Sequence, residues 1–357
     1  MSRTSGRDTG HEFVTIFGRG LVGELPAIAH PPYLVVTMDD LWPRFSGELD
    51  TDGLGAVHLV RTLDVGELES IVGELPPVAS VIGLGGGQAI DVAKYIAWSR
   101  RLPLFQVPTA MTVNAPFGHR AGLRHDGHVR YLGWAVPEAV YVDIDVVQSA
   151  PSALNRAGVG DILCYHTAHA DWRLARDLGR EEPRWPYDQV LVDAAREQLE
   201  AVLAALDDIR HVTERGIRTL MLAHRWGGAA FHNAGWNPRH IEGMEHFLFY
   251  NLERLTGRHF IHGQPVGLGV FAGSVLQDNE PERMLAALLQ AGVDIRPEAM
   301  GVTWDQVTEA LRSLADNARA AGLWFTAAEV RPFDDVLIAR IRRDVVAAYG
   351  PWEEDGA

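Results

Sequence analysis

The stretch Val81-Ile82-Gly83-Leu84-Gly85-Gly86-Gly87-Gln88-Ala89-Ile90-Asp91-Val92-Ala93-Lys94 constrains this chain more than any other. Val81, Ile82 and Leu84 make a short apolar run of the kind a parallel strand buries on both faces. Three glycines then remove three side chains in succession, so the backbone can approach a phosphate and aim N–H groups at it. The following residues read as a helix, whose positive N-terminal end adds to the attraction for an anion. Asp91 and Lys94 sit one turn apart and share a face. Lys94 is the only lysine in 357 residues, a compact ammonium placed where a phosphate or a nicotinamide amide can use it. The plain alternative is a glycine turn without a ligand; the strand–turn–helix context favours the phosphate loop. The stretch contains neither G-x-G-x-x-G nor a Walker Gly-Lys-Ser/Thr.

Around this stretch, strands and helices alternate. Strands are expected near residues 12–18, at Tyr33–Met38, Val57–Val60, Leu104–Pro108 and Ala139–Asp143, with helices such as Val65–Leu75 between them. Such alternation predicts a parallel α/β sheet over residues 1–150. Ligands of open α/β sheets bind at the carboxyl ends of strands. Asp39, at the end of the second strand, is placed to hold an adenosine ribose, although a solvated loop acid fits it equally. Thr109, Thr112 and Asn114 follow a later strand on that same edge. Beyond Pro151 the strands stop and 3.6-residue periodicity takes over, so residues 151–357 are expected to be an all-α domain.

Hydrophobic residues make up 47% of the chain and charged residues 22%, which suits a soluble globular protein. No apolar run reaches the ~20 residues of a membrane helix, and the polar start of the chain has no signal-peptide core. A net charge of −15 argues against nucleic acid and anionic membrane surfaces. A single cysteine excludes an internal disulfide framework and suits a cytoplasmic location.

The helical half carries a candidate metal site. Gly158-Val159-Gly160-Asp161 leads into an amphipathic helix with Cys164, Tyr165, Ala168 and Trp172. Glu245-His246 lies on a second helix, and His262-Gly263-Gln264-Pro265 opens a third, with proline in its first turn. One carboxylate and two imidazoles make a three-ligand divalent site with an open position, as a catalytic metal requires. His166 and His169 form an alternative pair, but they share the Asp161–Tyr165 face less well.

Taken together, these motifs resemble the superfamily of iron-containing alcohol dehydrogenases, glycerol dehydrogenases and dehydroquinate synthases, and within it the glycerol-1-phosphate dehydrogenases. Gly85-Gly86-Gly87-x-x-x-Asp91-x-Ala93-Lys94 is similar to the cofactor loop, and Val107-Pro108-Thr109-Ala110 to the strand and turn after it. Ala157-Gly158-Val159-Gly160-Asp161, Glu245-His246 and His262-Gly263-x-x-Val266-Gly267 resemble the metal-binding segments. The resemblance implies a Rossmann-like N-terminal domain, a helical C-terminal domain and a site in the cleft between them. It implies cofactor contacts at Asp39, Gly85, Gly86, Gly87, Gln88, Asp91, Lys94, Thr109 and Thr112. It also implies one divalent metal on Asp161, His246 and His262, with zinc expected and nickel or iron as alternatives. The cofactor is NAD or NADP, with NAD favoured because the Asp39 carboxylate repels a 2′-phosphate. A homo-oligomer, dimer or larger, is expected.

Three positions depart from the resembled pattern. Asn114 stands where the family has an aspartate, Tyr165 where its glycerol-1-phosphate branch has a lysine, and Tyr250 where that branch has a histidine. Spacing of four places Tyr165 on the face of Asp161 and Tyr250 on the face of His246, so both are expected to line the substrate pocket with Asn114. The expected activity is metal-dependent hydride transfer between a nicotinamide and a small polyol or related alcohol or ketone. The expected preference is for a substrate without a phosphate, unless Arg120 or Arg124 restores the missing charge. The alternative is a cyclase or lyase that uses NAD transiently, as dehydroquinate synthase does.

Overall fold

The computed structural model describes residues 11–125 and 128–352, and divides them into two units. The polar segment 1–10 lies outside the described residues. The first unit takes the chain up to Pro151 together with His224–Trp236; the second takes Ser152–Ala223 and Asn237 onward. A single boundary at 150/151 therefore misses a return. The later half of helix Glu214–Asn233 belongs to the first unit, where His224 Nε2 lies 3.2 Å from the Met111 carbonyl. Gly228 permits this contact, because a Cβ there would meet the Phe117 carbonyl oxygen at 2.2 Å. Helical periodicity shows that a segment is amphipathic but not which body its apolar face joins.

The first unit is built on six parallel strands in the order β1-β8-β5-β4-β2-β3. They are β1 (Thr15–Gly18), β2 (Tyr33–Thr37), β3 (Leu54–Leu59), β4 (Ser80–Gly85), β5 (Leu104–Pro108) and β8 (Ala139–Asp143). β2, β4, β5 and β8 are buried throughout, as their near-continuous apolar sequences require. A hairpin of β6 (Ala121–His125) and β7 (His128–Leu132) was not foreseen. Its sequence signal is Asp126-Gly127 between two alternating runs. None of the described helices is long and apolar enough to cross a membrane.

Helix α1 (Gly87–Arg100) follows β4 directly. It packs against the strand at glycine distance: a Cβ on Gly83 would lie 2.6 Å from Ala93 Cβ, and one on Gly85 2.7 Å from Ala89 Cβ. Lys94 lies on the buried side of α1, only 1% exposed. Its ammonium is 2.7 Å from Asp91 Oδ1 and donates to the carbonyls of Ala115, Gly118 and Arg120 at 3.0, 3.3 and 2.6 Å. The expectation places this ammonium toward a ligand; here its partners lie within the chain. Its hydrogens are taken up internally, pinning segment 115–120 to the helix.

The second unit is helical. Three of its helices matter here: α2 (Gly160–Asp177), α3 (Met244–Thr256) and α4 (Gly263–Gln277). α4 presents glycines to both neighbours. A Cβ on Gly263 would sit 1.7 Å from the Ala157 carbonyl oxygen, one on Gly160 2.1 Å from the Gly263 carbonyl oxygen, and one on Gly269 2.6 Å from the Glu245 Cα. Backbones therefore touch where side chains would ordinarily intervene. Asp171, buried, accepts from Met244 N, Ala327 N and Gln277 Nε2, so it joins α2 to the start of α3 and the end of α4.

Replacing Lys94 by Met would leave Asp91 buried without its cation and three carbonyls without their donor. The expected loss is about 3–5 kcal/mol of stability, read as a lower urea midpoint. Gly160→Ala is expected to cost about 3 kcal/mol or more by forcing α2 away from α4. A calorimetric melt unchanged from the wild type would refute the close contact.

Candidate metal centre and cofactor edge

The glycine contacts between α2 and α4 place Asp161 and His262, each next to one of the touching residues, at adjoining helix N-termini. His262 Nε2 is 3.1 Å from Asp161 Oδ1 and 3.3 Å from His246 Nε2. His246 Nε2 is 3.4 Å from Asp161 Oδ1. Three ligand atoms thus form a nearly equilateral triangle. Ligands about 2.0 Å from a tetrahedral ion lie about 3.3 Å apart, so the triangle fits one face of such a shell. Asp161 and His246 are buried while His262 is partly open, which leaves a side from which another ligand can enter.

The surroundings orient these atoms. Glu245 is fully buried; its Oε1 lies 3.2 Å from His246 Nδ1 and also accepts from Gly243 N. Its Oε2 accepts from Thr167 Oγ1 at 2.7 Å. A hydrogen on Nδ1 directed at Glu245 leaves the Nε2 lone pair facing the triangle, the usual arrangement behind a metal-binding histidine. The His262 ring is held edge-on by Phe249, with ring centres 4.6 Å apart. Burial opposes protonation of His246, yet hydrogen bonds to Asp161 and Glu245 and the charge of Glu242 outweigh it, and the imidazole is pushed up to about 10. The centre therefore favours positive charge strongly.

Cys164, Glu245 and His246 also bring ligand atoms together. Cys164 Sγ, however, donates to the carbonyls of Asp161 and Ile241 at 3.0 and 2.9 Å, and burial pushes its thiol well up. The alternative histidine pair is also engaged: His166 and His169 bind the carbonyls of Asn279 and His240. Tyr250, one turn after His246, has its ring centre 6.3 Å from that imidazole. Tyr165 is 1% exposed and packs near His169, so its ring is a buried wall rather than open surface. Sequence reasoning missed Glu242, whose Oε2 accepts from Tyr250 Oη at 3.4 Å. It precedes the helix that carries His246, so no helical spacing points to it.

In the first unit, the strand order sets the ends of β5, β4 and β2 side by side, and with them Thr109, Gly85–Gly87 and Asp39. Gly86 starts α1 with no side-chain cap, and a Cβ on it would meet nothing within 4 Å. The first turn is therefore open to an approaching anion. Thr109 N donates to the Gly85 carbonyl at 3.0 Å. Asp39 forms an ion pair with Arg61, which follows β3. Thr112 and Asn114 are partly buried in the turn after β5, where the Asn114 carbonyl accepts from Phe117 N at 2.8 Å. Arg120 lies over the Trp236 ring at 3.8 Å, and Arg124 is on β6.

A sequence profile described as iron-containing alcohol dehydrogenase matches residues 38–151. Glycerol-1-phosphate dehydrogenase (NAD(P)+) of Thermofilum pendens is 33% identical over 75% of this chain and 76% of its own length. The enzyme of the same name from Aeropyrum pernix is 30% identical over the same shares. The crystal structure of glycerol dehydrogenase from Schizosaccharomyces pombe superposes with a TM-score of 0.66 at 19% identity, covering 94% of this chain and 89% of that one. A parallel sheet followed by a helical unit is thus the two-domain fold of these proteins. The chain belongs to the iron-containing alcohol dehydrogenase family and is an enzyme of the alcohol dehydrogenase type.

Proposed function

We propose that this chain transfers hydride between NAD(P) and a carbinol carbon of a small polyol or related alcohol, with Asp161, His246 and His262 holding one divalent metal. The observation that carries this reading is the triangle of ligand atoms, 3.1–3.4 Å apart, backed by the Glu245–His246 contact. Zinc is the ion proposed. The spacing is that of a tetrahedral shell, whereas an octahedral ion with bonds of about 2.1 Å would draw its ligands to about 3.0 Å. A metal held there supplies a Lewis acid that lowers the pKa of a substrate hydroxyl. A nicotinamide bound to this chain would be the acceptor of the carbinol hydride, and the hydroxyl proton would leave to solvent. Glu245 keeps His246 in one tautomer, and Phe249 keeps the His262 ring in one plane.

The cofactor is proposed to rest its phosphates on Gly85–Gly87 and the first turn of α1, with Gln88, Thr109 and Thr112 alongside. Asp91 and Lys94 brace that helix from inside. Asp39 can accept from the adenosine ribose, which favours NAD. Arg61 neutralises Asp39 and offers a guanidinium to a 2′-phosphate, so NADP is accepted as well.

His262→Ala is expected to remove most bound zinc, and Glu245→Gln to weaken zinc affinity by about 10–100-fold, both read by metal analysis after dialysis. Full zinc occupancy in His262→Ala would end the assignment. NADH formation with glycerol or glycerol 1-phosphate tests the activity; product formed without net NADH would instead favour the cyclase or lyase reading. Arg61→Ala is expected to lower kcat/KM for NADP by about tenfold or more, with NAD affected about twofold at most. Equal losses for both cofactors would show that Arg61 does not touch the ribose.

A further inference from the structure

Glu242 is the one carboxylate near the proposed metal ligands whose charge has no structural task. Asp161 belongs to the ligand triangle, and Glu245 is saturated by Thr167, Gly243 and His246. Glu242 has a single long hydrogen bond to its carboxylate, from Tyr250. Its backbone is fixed at both ends: N donates to the Pro238 carbonyl at 2.8 Å, and O accepts from Trp324 Nε1 at 3.1 Å. The residue is therefore held in place by the fold. It meets Tyr250, which shares the His246 face of α3, and it interacts electrostatically with His246, Asp161 and His262 together. Among the described residues, no lysine or arginine pairs with it. Burial pushes its carboxyl up, the cost of a buried acid without a cation.

Asp161, Glu245 and Glu242 gather a surplus of acidic groups around one candidate divalent site. An anionic substrate would add to it, and an ammonium would cancel it. We infer that Glu242 selects the substrate, favouring a polyol or hydroxyketone that carries a primary ammonium beside its reacting carbinol and rejecting phosphorylated ones. This rests on the metal-dependent dehydrogenase reading above. It deepens that reading by naming the group the carboxylate recognises.

The test uses three matched diols that differ at one carbon: 3-amino-1,2-propanediol, glycerol and glycerol 1-phosphate. Binding to the zinc-loaded protein with NAD present is measured by calorimetry, and turnover by NADH formation. The wild type is expected to bind the ammonium compound roughly tenfold more tightly than glycerol, and glycerol more tightly than the phosphate. In Glu242→Gln, which keeps shape and removes charge, the ratio of ammonium to hydroxyl compound is expected to fall to about one. An unchanged ratio in that variant, or wild-type preference for the phosphate, overturns the inference. The wild-type ranking tests it independently of how the variant folds. Ranked binding without NADH formation would support the role of Glu242 and overturn only the dehydrogenase reading.

Discussion

The second unit depends on a contact between two pieces of backbone. Gly160 and Gly263 lie at the first turns of α2 and α4; a Cβ on Gly160 would strike the Gly263 carbonyl and one on Gly263 the Ala157 carbonyl, so neither tolerates a side chain. That contact brings Asp161 and His262, 101 residues apart, to 3.1 Å. The same economy of side chains at Gly269 lets α3 approach α4 and delivers His246 to the third corner. The geometry is thus set by helix backbones and not by loops, which is how a site is held to fractions of an ångström.

Assembling a carboxylate and two imidazoles at helix N-termini has an electrostatic consequence. The helix dipoles there favour negative charge, and the chain supplies it generously, with Asp161, Glu242 and Glu245 together. The result is a centre that draws a cation strongly enough to push His246 up to about 10 against its own burial. Glu245, 3.2 Å from Nδ1, also gives one imidazole a single direction, with Nε2 turned to the triangle.

Much of this was legible in the sequence, because it rests on local signals. Val81–Leu84 followed by Gly85–Gly87 could hardly be anything but a buried strand turning into a helix, and Asp161, His246 and His262 carry their chemistry in their residue types. What could not be read depends on tertiary partners. Lys94 was placed on the right helix, but its direction is decided by three carbonyls more than twenty residues away. The return of His224–Trp236 to the first unit hangs on the absent side chain of Gly228. Glu242 lies just outside a helix, where a spacing rule has no face to assign, and only the Tyr250 contact shows which way it points.

The uncapped start of α1 has a thermodynamic corollary. Gly86 contributes no side chain to the N–H groups of the first turn, so those donors are left to whatever anion arrives. A dinucleotide seated there, as proposed, would complete the helix end as a cap does and would bind only the folded chain. The melting temperature of the first unit would then report the cofactor pool: a hundredfold excess over the dissociation constant would add about 2.7 kcal/mol. Resistance to proteolysis would rise and fall with it, tying the lifetime of the protein to the supply of its own co-substrate.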